Sequence, residues 1–487
     1  MIEKIKELTK DTAIYGISTI VGRFLGFLLV PFYTHFISTS DFGIYSNVYA
    51  YLAFLNIVYI YGMDAAFLKY FSIADAGEKK RTFSTPYIFV TVSTIILSLL
   101  MFVLRAPIAA GMELSGSYDN LVYYLILILL FDTLVLIPFA NLRLARRAKK
   151  FAAIKLTNII LNLVLNLVLI IKYKMGIEAI FISNLAASFI TFVILIPEIV
   201  RNLELKIDIS ILKKMLKFGI PYLPASIAAT IVQVVDRPIV LALTNASTLG
   251  IYQANYKLGI FMMLFVSMFQ YAWQPFFLNN AKAENAKEIF SKVLTIFVLA
   301  ASVIWIILTL FIDNFATFHI YHGKSIIGEE FLGGLIIVPI VLLGYLFHGM
   351  YVNFQAGLYI EEKTKYFPYI TGLGALLNVV VNFALIPVLG IMGAALATLA
   401  SYIAMASSSF FISQRFYKIK YEYAKIARLL ALIFLTGGVF YYLALNNIIT
   451  IYLKFLLLFF FTASILLLRI VRKEELFYLS RLLVRKK

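Results

Sequence analysis

Residues 217–275 read KFGIPYLPASIAATIVQVVDRPIVLALTNASTLGIYQANYKLGIFMMLFVSMFQYAWQP. Two long apolar runs are joined by a very short turn. Inside them stand Asp236, Arg237, Gln253 and Lys257. A charged side chain near the centre of a bilayer costs about 2.5–3.5 kcal/mol on insertion scales. A chain keeps such residues only where they face a protein interior or a wet cavity. Cations held there mark a place for an anionic group.

The rest of the chain explains why these runs read as membrane helices. It is 62% hydrophobic and 14% charged over 487 residues, whereas a soluble protein carries about a quarter charged residues. Lipid must be its solvent. The formal net charge of +18 then follows from the positive-inside rule and from anionic lipid, not from nucleic-acid binding. With no cysteine, disulfides, thiolate chemistry and cysteine metal sites are excluded. His35, His319, His322 and His348 show no paired ligand spacing. No metal, no other cofactor and no catalytic residue set is expected. The absence of a GxxxxGK[ST] motif argues against an ATP-driven pump. The first apolar run holds Arg23 and lacks a small-x-small cleavage site, so it reads as a retained span and not a signal peptide.

Fourteen runs are long enough to span at about 20 residues each. They lie near 12–37, 41–71, 84–104, 120–142, 154–173, 177–198, 215–243, 247–272, 292–313, 332–354, 366–387, 391–413, 425–445 and 450–469. Residues 1–10 and the tail from Arg469 read as amphipathic surface helices. With both termini placed in the cytoplasm, 35 of the 43 Lys and Arg face inward and five face outward, with Arg23, Arg237 and Lys257 inside spans. That bias fixes the expected topology.

The halves repeat. At an offset of 207, Ser40-Asp41-Phe42-Gly43-Ile44-Tyr45 lies over Ser247-Thr248-Leu249-Gly250-Ile251-Tyr252, and Pro31 over Pro238. Leu161-Asn162 and Asn166 likewise match Leu377-Asn378 and Asn382, and Gly176 pairs with Gly390. The expected fold is an all-α membrane protein with 14 transmembrane helices. Two six-helix lobes, 1–205 and 206–420, form a parallel pseudo-two-fold repeat, and 421–487 adds two helices and a cytoplasmic tail. Such paired lobes are a transporter architecture.

Polar residues fall on single helix faces. Thr12, Gly16, Thr19, Arg23 and Gly26 form one stripe; Ser226, Thr230, Gln233 and Arg237 form another; Gln253 and Lys257 are one turn apart. Either each cation pairs with an acid, for which Asp64, Asp132 and Asp236 are available, or the cations line a cavity for an anion. Arginine suits phosphate as a bidentate donor and lysine as a point charge. The Asn158, Asn162, Asn166 ladder reads as interhelical glue, and His348, Asn353 and Gln355 as further cavity lining.

The 6 + 6 + 2 layout, the basic N-terminus, Phe42-Gly43-Ile44-Tyr45 after the first span and Trp273-Gln274-Pro275 at the end of the eighth resemble the polysaccharide (O-antigen type) flippases. These belong to the multidrug/oligosaccharidyl-lipid/polysaccharide exporter superfamily. The resemblance implies a multi-pass protein of the prokaryotic inner membrane. It would flip undecaprenyl-pyrophosphate-linked oligosaccharide by alternating access, as a monomer beside the polysaccharide polymerase and glycosyltransferases of its pathway. It assigns pyrophosphate to Arg23, Lys69, Arg237 and Lys257, which fall on helices one, two, seven and eight. Thr19, Thr230, Gln233 and Gln253 would line the cavity, and Asp64, Asp132 or Asp236 would carry a coupled ion. Expected partners are that substrate and membrane lipids, with no nucleic acid. A lipid II flippase and a drug/cation antiporter are the rivals, the latter disfavoured by the excess of cavity cations. A membrane glycosyltransferase would need large loops with catalytic acids, which the chain lacks.

Overall fold

A computed structural model describes residues 20–468 and 470, apart from 74, 76, 115, 322 and 323. Thr12, Gly16, Thr19 and both expected surface helices lie outside the described residues. The chain is almost wholly helical. Twelve helical stretches among the described residues are long and apolar enough to cross a membrane, and two shorter apolar helices, Ile20–Phe36 and Ile451–Leu467, flank them.

In chain order the helices are α1 (Ile20–Phe36), α2 (Thr39–Ile60), α3 (Met63–Ile73), α4 (Lys79–Val103), α5 (Arg105–Gly111), α6 (Leu121–Leu134), α7 (Leu136–Leu144), α8 (Ala148–Ile171), α9 (Glu178–Asn202) and α10 (Ile209–Gly219). Then follow α11 (Leu223–Val234), α12 (Asp236–Leu243), α13 (Ala246–Tyr256), α14 (Ile260–Asn280), α15 (Ala286–Ala316), α16 (Val338–Ile360), α17 (Phe367–Leu389), α18 (Ile391–Phe416), α19 (Tyr423–Leu445) and α20 (Ile451–Leu467). A two-stranded hairpin, His319–Tyr321 with Lys324–Ser325, follows α15.

Several spans that read as single apolar runs are broken. The 41–71 run is α2 and α3, divided where Tyr61 and Gly62 take φ of 36° and 73°. There the backbone of Gly62 lies against that of Gly219 on α10, so a side chain would meet the Gly219 carbonyl. The 215–243 run breaks between α11 and α12, where Pro238 supplies no N–H to the helix ladder. The 247–272 run breaks at the 3-10 turn Lys257–Gly259. Trp273-Gln274-Pro275 lies within α14, more than a turn before its end at Asn280. Lys155, expected in an inward loop, stands on α8 with its ammonium over the Phe139 ring at 4.6 Å.

The chain divides into two compact units. The first comprises residues 1–257, 327–334 and 367–401, so the expected lobe boundary at 205/206 falls inside it. Its core packs Tyr59, Met112, Leu125 and Phe181 in one cluster and Met63, Phe67, Phe83 and Met215 in another. The repeat-matched asparagines behave alike. Asn166 Nδ2 donates to Asn162 O and Oδ1, and Asn382 Nδ2 donates to Asn378 O and Oδ1. Gly176 and Gly390 have φ of 58° and 56°. Asn158 Nδ2 donates across to Thr191 on α9 at 2.9 Å, as glue should. The second unit comprises 258–326, 335–366 and 402–487. In it Trp305 Nε1 donates to Pro339 O at 2.9 Å, tying α15 to α16. Buried Lys454 of α20 is ion-paired to Asp313 and donates to Asn314 at 2.7 Å, anchoring α20 on α15.

Candidate functional site

The cations of interest sit at helix breaks in the first unit. Arg237 is the second residue of α12, just past the α11 break, and its Nε is buried without a hydrogen-bond partner. Lys257 ends α13 at the 3-10 turn. Lys69 lies on α3, beyond the Tyr61-Gly62 break, with its ammonium 4.1 Å from the Phe218 ring centroid. Broken helices leave backbone groups and side chains directed away from the regular ladder, which is where membrane proteins place charged sites.

Asp236 and Asp132 take mainly hydroxyl and backbone partners. Asp236 is buried; its Oδ2 accepts from the Tyr252 hydroxyl at 2.6 Å and its Oδ1 from the Arg237 backbone N–H at 3.1 Å. Asp132 Oδ1 accepts from Ser188 on α9 at 2.6 Å. Asp64 opens α3 and is half-buried. Among the described residues Arg237, Lys257 and Lys69 form no ion pair. Arg23 stands exposed on α1.

Lys257 has an aromatic setting that the sequence reading missed. Its Nζ lies 4.9 Å from the Tyr45 ring centroid and 5.1 Å from that of Phe42, and it donates to the Tyr45 hydroxyl at 3.5 Å. Tyr45 packs in turn on Tyr33 and Tyr49. Tyr33 donates to Asn166 at 2.9 Å, and the Tyr49 hydroxyl accepts from Asn184 at 2.7 Å. Cation–π contact of this kind is worth about 0.5–2 kcal/mol. It holds the ammonium without discharging it. The signal available in the sequence was the repeat itself: the matched tyrosines touch the two charged positions, Tyr45 at Lys257 and Tyr252 at Asp236.

The other expected lining residues vary in exposure. On α11 Ser226 and Gln233 are exposed and Thr230 half-buried, while Ala228, Val232 and Val234 are buried, so the polar stripe faces away from the packed side. Gln253 is buried, and its Nε2 has no partner. The structure gives no direct hydrogen bond joining Arg237, Lys257 or Lys69 to one another. Arg237 Nε and Gln253 Nε2 are buried without hydrogen-bond partners, and the Lys257 ammonium keeps donor capacity beside Tyr45. Each is the kind of donor that an anion with several acceptor oxygens engages.

These elements meet at an unusually close crossing. The backbones of α2 and α13 touch at Gly43 and Gly250. A Cβ built on Gly43 would lie 2.8 Å from the Ala246 carbonyl carbon, and one on Gly250 would lie 2.8 Å from that of Thr39. Thr39 Oγ1 and Ser247 Oγ share a hydrogen bond of 2.7 Å. The pairs Thr39/Ala246 and Gly43/Gly250 are equivalent in the 207-residue repeat, so the crossing has local two-fold character. Small residues four apart are what lets membrane helices approach this closely. Asp41, which opens α2, accepts from Tyr118 at 2.6 Å, and that bond to a carboxylate pushes the Tyr118 phenol up to about 12.

Comparison with known proteins bears on the fold and the family. Among solved structures, the lipid II flippase MurJ in an inward closed conformation superposes with a TM-score of 0.71 at 19% identity, covering 93% of this chain and 98% of that one. An inward-facing multidrug resistance MATE family transporter of the MOP superfamily gives 0.67 at 11% identity, covering 84% and 96%. A MOP superfamily transporter from Pyrococcus furiosus, described as having reversed binding-pocket polarity, gives 0.55 at 14%, covering 86% and 96%. These likenesses establish the fold. No curated protein matches the sequence. The family model described as polysaccharide biosynthesis protein matches residues 34–315, more than half of the chain, and the chain therefore belongs to the polysaccharide biosynthesis protein family.

Proposed function

We propose that the protein flips undecaprenyl-pyrophosphate-linked oligosaccharide across the prokaryotic inner membrane, with both termini in the cytoplasm and without covalent chemistry. The observation that carries the proposal is the presence, in a polysaccharide biosynthesis family member, of Arg237 and Lys257 at helix breaks, Arg237 with an unpartnered Nε and neither in an ion pair among the described residues. A pyrophosphate supplies the missing negative charge and the acceptor oxygens. Arg23 and Lys69 extend the cationic set, and Thr230, Gln233 and Gln253 add neutral contacts. The two repeats act as lobes that alternate access, and the protein works as a monomer beside the polymerase and glycosyltransferases of the same pathway. Asp64, Asp132 and Asp236 are the candidates for carrying a coupled ion.

A lipid II flippase is the second reading, favoured by the likeness of fold to MurJ. The two are separated by complementation. Cells lacking the protein should lose surface polysaccharide and keep cell-wall synthesis, and the chain should fail to replace a depleted lipid II flippase. Within the protein, Arg237→Ala and Lys257→Ala should each lower flipping of the lipid-linked glycan at least tenfold at normal protein levels. Normal flipping by the double variant would refute the proposal.

A further inference from the structure

Within the first unit, a basic concavity lies where three apolar helical stretches end. Arg81 stands in the first turn of α4, α9 ends at Asn202, and Ile209 opens the stretch Ile209–Val234. The non-helical link 203–208 joins the last two. Arg81 and the residues from Lys206 to Ser210 enclose about 480 Å³. The link is pinned to the start of α4. The Glu204 N–H donates to Ser84 Oγ at 2.7 Å, and the Asp208 N–H donates to Thr85 Oγ1 at 3.0 Å. Ser84 and Thr85 are themselves buried, so the walls of the concavity are built into the fold.

Its surface has two chemistries side by side. Leu205, Ile207 and Ile209 are 87%, 50% and 65% exposed. They are not part of the packing of α10, whose Met215 is buried in the cluster with Phe67 and Phe83 while Ile211, Leu212 and Leu216 pack against it. Three neighbouring aliphatic side chains held out from the packed core are stabilised by a hydrocarbon boundary and not by water. The cations stand beside them. Arg81 is exposed and has no hydrogen bond or ion pair among the described residues. Lys206 meets Glu204 at 3.4 Å but is 67% exposed, a surface pair that water screens. Asp208, the acid in the lining, is committed to the α10 N-terminus: its Oδ1 accepts from the Ser210 and Ile211 N–H groups at 2.9 and 3.1 Å. Residues 75–81 and 201–217 together hold eight Lys and Arg against four Asp and Glu.

We infer that this concavity binds the headgroup of an anionic glycerophospholipid of the surrounding bilayer. The lipid phosphate engages the Arg81 guanidinium and the Lys206 ammonium, with the Ser210 hydroxyl as a further donor. Leu205, Ile207 and Ile209 sit in the boundary between headgroups and acyl chains, as the apolar face of an interfacial segment does. A soluble phosphate would satisfy the cations and leave those three side chains in water; a lipid satisfies both. The helix ends place the concavity at headgroup depth, and on the proposed orientation the leaflet is the cytoplasmic one, where anionic lipid attracts basic segments. The site does not depend on which lipid-linked molecule the protein flips, and it lies on the link between the two sequence repeats.

The test uses the full chain in nanodiscs of phosphatidylcholine, with or without about 30 mol% phosphatidylglycerol. Because the chain has no cysteine, Leu205→Cys carries a single environment-sensitive dye on the link. Phosphatidylglycerol should shift the dye emission to the blue and slow its quenching by aqueous iodide at least threefold. Glycerol phosphate added to phosphatidylcholine discs should do neither. Arg81→Gln with Lys206→Gln should abolish the difference between the discs, whereas Lys282→Gln with Lys365→Gln, exposed cations elsewhere, should preserve it. Native mass spectrometry of the unlabelled chain should show phosphatidylglycerol retained at least fivefold over phosphatidylcholine, a preference lost with Arg81→Gln and Lys206→Gln. Equal dye behaviour in the two discs overturns the site, as does equal loss in both double variants, which would show only general charge attraction. A response to glycerol phosphate would show a soluble-anion site instead. Shielding of the dye in native membranes that vanishes in purified protein whatever the lipid would show a protein occupant, and either result overturns the lipid assignment.

Discussion

Replacing Gly43 with alanine adds one methyl group where α2 and α13 touch backbone to backbone. The new Cβ would stand 2.8 Å from the Ala246 carbonyl carbon, closer still to its oxygen, and 3.0 Å from the Gly250 nitrogen. Ordinary contact begins near 3.4 Å, so the helices must part by more than about half an ångström, and neither side of the contact is a flexible side chain. Overpacking of this kind costs about 1–3 kcal/mol, a factor of roughly 5–150 in any equilibrium that needs the crossing closed. On the proposed orientation this crossing lies at the outer end of the span. If access alternates, it must close in one state and open in the other. Because the chain has no cysteine, Thr39→Cys with Ser247→Cys reports closure cleanly; the parent hydroxyl oxygens are 2.7 Å apart. Oxidant should cross-link that pair rapidly and stop glycan flipping, and reductant should restore it. Adding Gly43→Ala or Gly250→Ala should slow cross-linking at least fivefold at normal protein levels. A cross-linked protein that still flips, or a Gly43→Ala variant that cross-links at the parental rate, would refute the reasoning.

Two further outcomes follow from the same contacts. Tyr45→Leu removes the ring and hydroxyl at Lys257 and should weaken flipping severalfold, whereas Tyr45→Phe keeps the ring and should retain most of it, measured as export of labelled glycan. Asp313→Ala leaves Lys454 buried without its carboxylate. Asp313 is itself about half exposed, which reduces the penalty below the usual 3–5 kcal/mol for breaking a buried pair, and detergent thermal unfolding should report a loss of about 1–3 kcal/mol that Lys454→Met partly restores.

The long apolar runs could be read from composition because hydrocarbon demands about 20 apolar residues whatever the fold. The runs at 84–104 and 366–387 became α4 and α17 within a few residues. The breaks were harder. Gly62 and Pro238 are visible breakers, yet the break at 61–62 is fixed by the backbone of Gly219, more than 150 residues away, and Lys257–Gly259 carries no strong breaker before Gly259. At the site, the stripe from Ser226 to Arg237 was legible because helical period alone puts those residues on one face. The partners were not. Lys257 meets Tyr45 across 212 residues, and Asp236 takes a hydroxyl from Tyr252, a partner that charge counting does not show. Period and composition say which face a side chain occupies, and only packing says what stands opposite.

The repeat offers one step more. Gly43 and Gly250 and the two asparagine pairs are matched in sequence and in local geometry, and Tyr45 and Tyr252 in sequence. The charges are not. The residues that correspond to Asp236, Arg237 and Lys257 at the 207 offset are Leu29, Val30 and Ala50, all buried and apolar. Local features repeat between the halves and these charges do not. Lys257 belongs to the second repeat but rests on Tyr45 and Phe42 of the first, the helix that carries Gly43. On the proposed function, opening the Gly43–Gly250 crossing would disturb the cation–π setting of Lys257, and an anion drawing the ammonium away from Tyr45 would remove one of the contacts across it. The linkage is reciprocal by thermodynamic necessity. Its size would be bounded by the cation–π energy of about 0.5–2 kcal/mol, enough to bias two proposed access states severalfold and too small to trap either. A fully symmetric arrangement of cations would bias both repeats alike; under the proposed function, one-sided charge would let a single bound anion report to a single crossing.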